Sequence, residues 1–482
     1  MRDDPEADIA AIAASLTRGS VVAAAGCGKT EQIARATKIA GGRRLILTHT
    51  HAGVDALRSR LKRHKVPSEK FRIDTIAGWC LRYSASFPVR SGLLCNAPKD
   101  EEWNAVYEAA SKLIKSGAVN GVLASSYSGV FVDEYQDCTK LQHEVIKAIA
   151  THLPVCVFGD PLQAIFDFED QKPVDWDVDV FPIFNKAVTL TTPWRWQNAG
   201  NGVLANWLSD VRDALDQRTI IDLTRRPTCV SWERLPDDPR FRLSKIVGTC
   251  KSVMGKAGDG RLVVIGDAAN INARAEVARK LAAVGFSTIE PVGCKNLFDH
   301  AKRIEAAEGF TRLERALDFI CACMTGADKS DYLAAVKSHQ IGGRRGEAKF
   351  GDLIKTGVAV AEDASDEIVL ELMQGFYDRE GTRLFRREMF FSMRSALQIK
   401  IARQCGTLAD SIWEVQNRIR HVGRKIGKRS IGSTLLVKGL EFDHAVIVHT
   451  AKMTRKDWYV ALTRATTSIT ILSPSELVLP TA

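Results

Sequence analysis

Between Val21 and Thr30 the chain reads VVAAAGCGKT, an order of residue types suited to holding phosphate. The apolar run Val21-Val22-Ala23-Ala24-Ala25 predicts a buried strand, Gly26-Cys27-Gly28 a turn, and Lys29 the start of a helix. Glycines let backbone N–H groups close on phosphate oxygens, Lys29 is placed to neutralise β and γ phosphates, and Thr30 to hold Mg²⁺. The helix adds the positive end of its dipole. Such a cradle takes in Ala25, Gly26, Cys27, Gly28, Lys29, Thr30 and Glu31. The strict pattern has glycine where this chain has Ala23, and the competing reading is a Gly-rich turn that binds nothing.

A second group completes the chemistry. The apolar strand in VFVDEYQ (Val130–Gln136) delivers Asp133 and Glu134 to its C-terminal end. Downstream of a phosphate cradle, the first carboxylate suits Mg²⁺ and the second suits polarising an attacking water. In VCVFGDPLQAIFDF, Gln163 follows a third strand, where an amide that both donates and accepts can sense a terminal phosphate. Phe166 and Phe168 lie just beyond it, placed either to stack on bases or to pack in the core. Arg195 stands between Trp194 and Trp196, as a phosphate clamp or as a stacked structural arginine. Arg464 follows the apolar run YVALT, where a buried guanidinium needs a partner; a phosphate reached across a domain interface supplies one.

These residues need a sheet to carry them. Residues 1–20 read as a short helix leading into the first strand, and Gly41-Gly42 ends the helix that follows the cradle. Leu45-Ile46-Leu47 is a further strand with Thr48, His49, Thr50 and His51 at its C-terminal end, the edge where open α/β sheets bind ligands. Thr48 and Thr50 suit phosphate, and Arg58, Arg60, Lys62 and Arg63 ride on the next helix. The two histidines lack a carboxylate or cysteine at metal-ligand spacing. FRIDTIAGWCLRY passes from strand to helix with Thr75 and Trp79 near the sheet edge, Trp79 being equally suited to the core. Residues 84–128 read as a helical insertion, and the acidic, proline-broken stretch 173–182 as a linker. From 227 to 292 strand and helix alternate again, 297–425 is mainly helical, and STLLVKGLEFD, HAVIVHT and a final strand resume the α/β pattern. TRLFRRE (382–388) and RIRHVGRKIGKR (418–429) are basic, as solvated faces or as contacts to a nucleic-acid backbone.

The bulk properties agree. A chain of 482 residues exceeds one core, and about two to four domains are expected. At 45% apolar and 26% charged it should fold, and no run long enough to span a membrane appears. The acidic start MRDDPEAD lacks the apolar stretch of a secretory signal. Eleven scattered cysteines suit reduced thiols in a cytoplasmic setting. A net charge of +10 fits a polyanionic partner.

AAAGCGKT, THTHAG, DTIAGW, VDEYQD, GDPLQAIF, PWRW, TLLVKGLEFD and YVALTRA, in this order, resemble the UvrD/Rep branch of superfamily 1 helicases. The resemblance covers both ends of the chain and weakens over 325–425, and the family tolerates alanine where this chain has Ala23. It implies an α/β fold of two RecA-like P-loop NTPase domains with parallel sheets and small helical insertions. The expected segmentation is 1–83 with 129–180 for the first domain, 84–128 for a short insertion, 181–324 with 426–482 for the second domain, and 325–425 for a reduced insertion. It implies ATP and Mg²⁺ in a cleft between the domains, with Lys29 and Thr30 on phosphate and metal, Asp133 on metal and Glu134 on water. Gln163 and Glu441 would read the nucleotide state, and Arg195 and Arg464 would act as fingers from the second domain. Thr48, His51, Thr75, Trp79, Phe166 and Phe168 would line a path for single-stranded DNA, travelled 3′ to 5′.

The chain departs from that pattern in three places. Residues 1–25 contain no glutamine to read adenine, Ala77 replaces a DNA-contacting histidine, and both insertions are short. The compact size resembles the helicase-like subunit of Gabija anti-phage defence, which implies an OLD-family nuclease as partner. The alternative to a motor is an ATPase subunit that senses nucleotide or DNA ends and regulates such a nuclease without processive unwinding.

Overall fold

In the computed structural model, which describes residues 5–95, 98, 102–166, 172–268, 270–291, 293–363, 365–422 and 426–481, the chain forms two compact units. The first comprises Met1–Ile221, Met453–Thr466 and Leu479–Ala482. Its sheet contains β1 (Arg18–Ala23), β2 (Arg44–Thr48), β3 (Phe71–Thr75), β4 (Gly129–Val132), β5 (Val155–Gly159) and β6 (Asn185–Leu190). They lie in the order β3-β2-β4-β5-β1-β6, and every pairing is parallel.

The alternation of side chains along each strand explains why the sheet is covered on both faces. Val21, Ile46, Phe131, Cys156 and Phe158 enter one core, with α1 (Pro5–Ser15), α2 (Lys29–Ile39) and α3 (His51–Arg63). Val22, Leu45, Leu47, Val130, Val132, Val155 and Val157 enter the other, with α4 (Ile76–Ser86), α5 (Glu102–Lys115) and α6 (Lys140–Ala150). The four inner strands are therefore buried almost throughout, while the edge strands β3 and β6 keep exposed positions.

Two expectations change here. β6 pairs with β1, so the first unit runs past residue 180 and on through α7 (Gly202–Asp216). The stretch read as a linker is instead anchored: Trp176 is buried edge-on against Tyr135 and Phe181, and Asp175 caps the helical turn that carries it. A large aromatic with somewhere to go outweighs the local polarity.

The second unit comprises Asp222–Lys452 and Thr467–Val478. Its sheet contains β7 (Val230–Arg234), β8 (Leu262–Gly266), β9 (Ser287–Thr288), β10 (Arg429–Ser433), β11 (Phe442–Val448) and β12 (Ala465–Ser473), in the order β9-β10-β8-β11-β12-β7. It is the second six-stranded parallel sheet, as the alternating pattern implies. Between β9 and β10 a helical subdomain closes its own core around Leu317, Phe319, Tyr332, Phe376 and Phe390. Arg386, from the basic TRLFRRE stretch, is not offered to solvent. It makes two 2.7 Å hydrogen bonds to the buried Glu290 carboxylate and holds that carboxyl below its usual range against the opposing effect of burial. Of the second basic run, 423–425 lie outside the described residues.

Candidate nucleotide site

The turn after β1 is set by two glycines in the left-handed region, Gly26 at φ 74° and Gly28 at φ 83°. A β-carbon on Gly26 would stand 2.8 Å from both the Arg195 Cβ and the Trp196 ring, so glycine is required there on space as well as on conformation. Gly28 caps α2 without a side chain, so the first-turn N–H groups face the loop, the arrangement that attracts anions.

The expected catalytic residues converge on that loop. Lys29 Nζ lies 2.8 Å from Glu134 Oε2, and the Thr30 hydroxyl donates to Asp133 Oδ2 at 3.4 Å. β4 places the carboxylates: the Asp133 N–H bonds to Leu47 O, and the Glu134 N–H bonds back to Asp133 Oδ1 at 2.9 Å. Glu134 itself sits at φ 54°, a costly conformation for a non-glycine residue and one that recurs at functional sites. Burial would lower the Lys29 ammonium, but Glu134 and then Asp133 outweigh it and hold the lysine charged. Burial first, and the Glu134 charge second, push the Asp133 carboxyl well above the carboxylate range. That is the electrostatic setting a divalent cation relieves. One carboxylate and one hydroxyl, both hard oxygen donors, fit Mg²⁺, which takes its remaining ligands from phosphate and water. Among the described residues no cluster of three or more His, Cys, Asp or Glu could hold a metal by itself.

A second cluster braces the loop. Asp160, at the end of β5, accepts from Gln163 Nε2 at 2.8 Å and from both Arg212 terminal nitrogens at 2.8 and 3.1 Å. Arg212 also donates to the Tyr459 hydroxyl at 2.6 Å, and that hydroxyl accepts the Ala25 N–H at 3.0 Å. Gln136, fully buried, accepts the Asp160 N–H at 3.0 Å and donates to Glu134, joining the ends of β4 and β5. Arg212 and Gln136 carry no role in the sequence reading. The signal for Arg212 was present: it interrupts the apolar stripe Leu204, Leu208, Val211, Leu215 of α7.

The remaining expected residues are placed as follows. Arg195 lies over the Trp196 ring, and its guanidinium donates to Thr463 O at 2.9 Å. Arg464 is 1% exposed and, like Arg195, belongs to the first unit rather than to the second, where both were expected. Its guanidinium donates to Val460 O and Thr463 Oγ1, at the end of α8 (Arg455–Leu462). Glu441 is exposed and belongs to the second unit. The Glu31 carboxylate turns to α3, where Arg60 at 2.8 Å and His64 bind it. Burial, aided by Asp160, pushes the Cys27 thiol up to about 12. Along the expected strand path, Thr48 and Thr75 are buried, and Thr75 caps α4 through the Gly78 N–H. Trp79 is fully buried and stacked on Tyr83 at 4.3 Å, the core option rather than an offered surface. His51 and Phe166 are half-buried, and Phe168 lies outside the described residues.

A family model for the UvrD/REP helicase N-terminal domain matches residues 105–173, which carry Asp133, Glu134, Asp160 and Gln163. No curated protein sequence matches the chain. Two solved structures of arterivirus nonstructural protein 10 (helicase), one in complex with DNA, align at 10% and 11% identity over 96% of this chain, with TM-scores of 0.36 and 0.37. The chain spans 62% and 61% of their length. In the UvrD/REP-like stretch, Asp133 and Glu134 end β4 while Asp160 and Gln163 follow β5. Both pairs stand at the carboxyl edge of the sheet that also supports the loop after β1.

Proposed function

We propose that this chain hydrolyses ATP at the loop after β1 and uses the cycle to move 3′ to 5′ on single-stranded DNA as a helicase. The observation that carries the ATPase part is the convergence of Lys29 on Glu134 and of Thr30 on Asp133 beside a helix N-terminus that no side chain caps. Lys29 cannot serve Glu134 and a phosphate at full strength together. A bound nucleotide draws the ammonium to its β and γ oxygens, and the carboxylate it leaves, still held by Gln136, orients water and takes its proton as the water attacks the γ-phosphorus. The bond to the bridging oxygen then breaks and ADP leaves with that oxygen. Asp133 and Thr30 would hold Mg²⁺, which would supply charge neutralisation at the phosphates. Gln163, tied to Asp160, stands ready to report the terminal phosphate, and Arg195 and Arg464 are the candidate fingers. Polarity on DNA rests on the UvrD/Rep resemblance, and a place beside an OLD-family nuclease in anti-phage defence rests on compact size.

The test is the ATPase rate of the whole chain with no nucleic acid, single-stranded DNA or duplex, alongside Glu134→Gln, followed by displacement of a strand annealed to 3′- or 5′-tailed templates. Stimulation by single strands that Glu134→Gln removes, with displacement only from the 3′ tail, is the expected result. A rate indifferent to DNA refutes the motor and favours the regulatory ATPase. Hydrolysis that survives Glu134→Gln refutes the site.

A further inference from the structure

Glu31 stands two residues past Lys29 in the first turn of α2, yet its carboxylate does not serve the loop. Gly28 is the N-cap of that helix, so Glu31 occupies the third helical position, from which a carboxylate ordinarily folds back onto the cap N–H. Two other helices of the first unit behave that way. Gln142, third in α6, accepts the Thr139 N–H at 3.0 Å, and Asp457, third in α8, accepts the Thr454 N–H at 3.1 Å. In α2 the same fold-back would set a negative charge on the Gly28 N–H, at the helix end proposed for phosphate. The side chain starts close by, since a β-carbon on Gly28 would lie 3.8 Å from the Glu31 Cβ.

Helix α3 holds it away. Arg60 donates to Glu31 Oε2 at 2.8 Å and His64 bonds Oε1, so both carboxylate oxygens are taken. Arg60 and His64 are one turn apart on α3 and its cap, and so share a face. Leu57 and Leu61 are fully buried in the core that α2 enters through Ile33 and Ala34, which fixes α3 against α2. Arg35, one turn on in α2, adds a longer contact at 4.0 Å. Burial raises the Glu31 carboxyl, but the bonds from Arg60 and His64 outweigh it and hold the group below its usual range. An ionised carboxylate in this turn is drawn to the same N–H groups and helix dipole as a phosphate. We propose that Glu31 is a built-in competitor for the phosphate position, and that Arg60 and His64 are positioning residues that keep it out. With this clamp closed the helix end is open to a nucleotide; with it broken, Glu31 caps its own helix and the nucleotide must displace it. The inference rests on the ATP reading above and adds to it a control on affinity.

The experiment is calorimetric titration of the full chain with a non-hydrolysable ATP analogue and Mg²⁺, with steady-state ATP hydrolysis alongside. It compares the native chain, Arg60→Gln/His64→Gln, Glu31→Ala and the triple variant. The clamp variant should bind the analogue about tenfold more weakly, the worth of one charge-assisted hydrogen bond. Its KM should rise with kcat unchanged, since Glu31 competes only with binding. Adding Glu31→Ala should restore native affinity, because no side chain remains to compete, and Glu31→Ala alone should bind no worse than the native chain. Arg60→Gln alone, at a position 41% exposed, is the milder variant and should shift affinity in the same direction. A triple variant as weak as the clamp variant shows lost helix packing and overturns the proposal. So does a clamp variant that binds as tightly as the native chain, or a Glu31→Ala variant that binds more weakly, which puts that side chain on the nucleotide. A native chain that binds no nucleotide overturns the ATP reading itself, whereas the other failures leave it standing.

Discussion

Arg212→Met isolates a prediction that the geometry makes quantitative. The Asp160 side chain is fully buried, and Arg212, 17% exposed, gives it two hydrogen bonds while also bonding the Tyr459 hydroxyl. Methionine keeps an unbranched apolar stem but loses the guanidinium that lies over the Tyr459 ring, so the loss is mainly one of charge. Asp160 then keeps only the Gln163 amide and the Leu162 N–H, neither of which carries charge. Removing one partner of a buried ion pair costs about 3–5 kcal/mol. For a unit of this size, that corresponds to a fall in Tm of about 6–20 °C. The assay is thermal unfolding of the purified chain, following the transition of the first unit, with Asp160→Asn and the double variant measured in parallel. Because the residues are in direct contact, the double variant should recover about 1–3 kcal/mol relative to the sum of the singles. A single variant within about 1 kcal/mol of the native chain, or strictly additive effects, would refute the argument that this pair braces the loop.

Three further outcomes follow from the same site. Lys29→Ala should abolish ATP turnover without unfolding the chain, since Glu134 is 37% exposed and can be rehydrated; a near-native rate in a phosphate-release assay sinks the site assignment. Gly26→Ala places a β-carbon 2.8 Å from two side chains at φ 74° and should destabilise the first unit by about 1–3 kcal/mol, with turnover lost; an unchanged denaturation midpoint contradicts it. His143 lies 2.6 Å from the Tyr135 hydroxyl, and burial, followed by Lys147, holds its pKa below the free value. The unfolded chain therefore takes up protons first on acidification. The stability this histidine contributes is present above about pH 6.5 and lost as pH falls towards its depressed value. His143→Gln should flatten the dependence of first-unit stability between about pH 7 and 5, and an unaltered slope in urea titrations counts against it.

How much of this was legible depended on whether one segment held the whole reason for a feature. The strands β1, β2, β4 and β5 are buried on both faces, so their apolar runs announce them, and the helix after the cradle starts and stops where lysine and the paired glycines place it. Lys29, Thr30, Asp133 and Glu134 were legible because phosphate chemistry constrains their types and order, and the fold does bring them together. β6 carries the sequence NKAVTL, mostly exposed, and only its partner β1 identifies it as part of the first sheet. Trp79 satisfies a strand-path motif and a core position equally well; the stack with Tyr83 decides between them, and it is a property of the fold. Arg212 is the instructive case. A charge in an apolar stripe demands a buried counter-charge, which the sequence can state, but the residue that answers is Asp160, just past the end of β5 in another part of the first unit. Tyr459 then extends that answer to Ala25 of the phosphate loop. The proposed catalytic groups are thus written as local words, whereas the network that fixes their geometry is written only in three dimensions. A change at Arg212 should therefore be felt at a loop whose own sequence is intact.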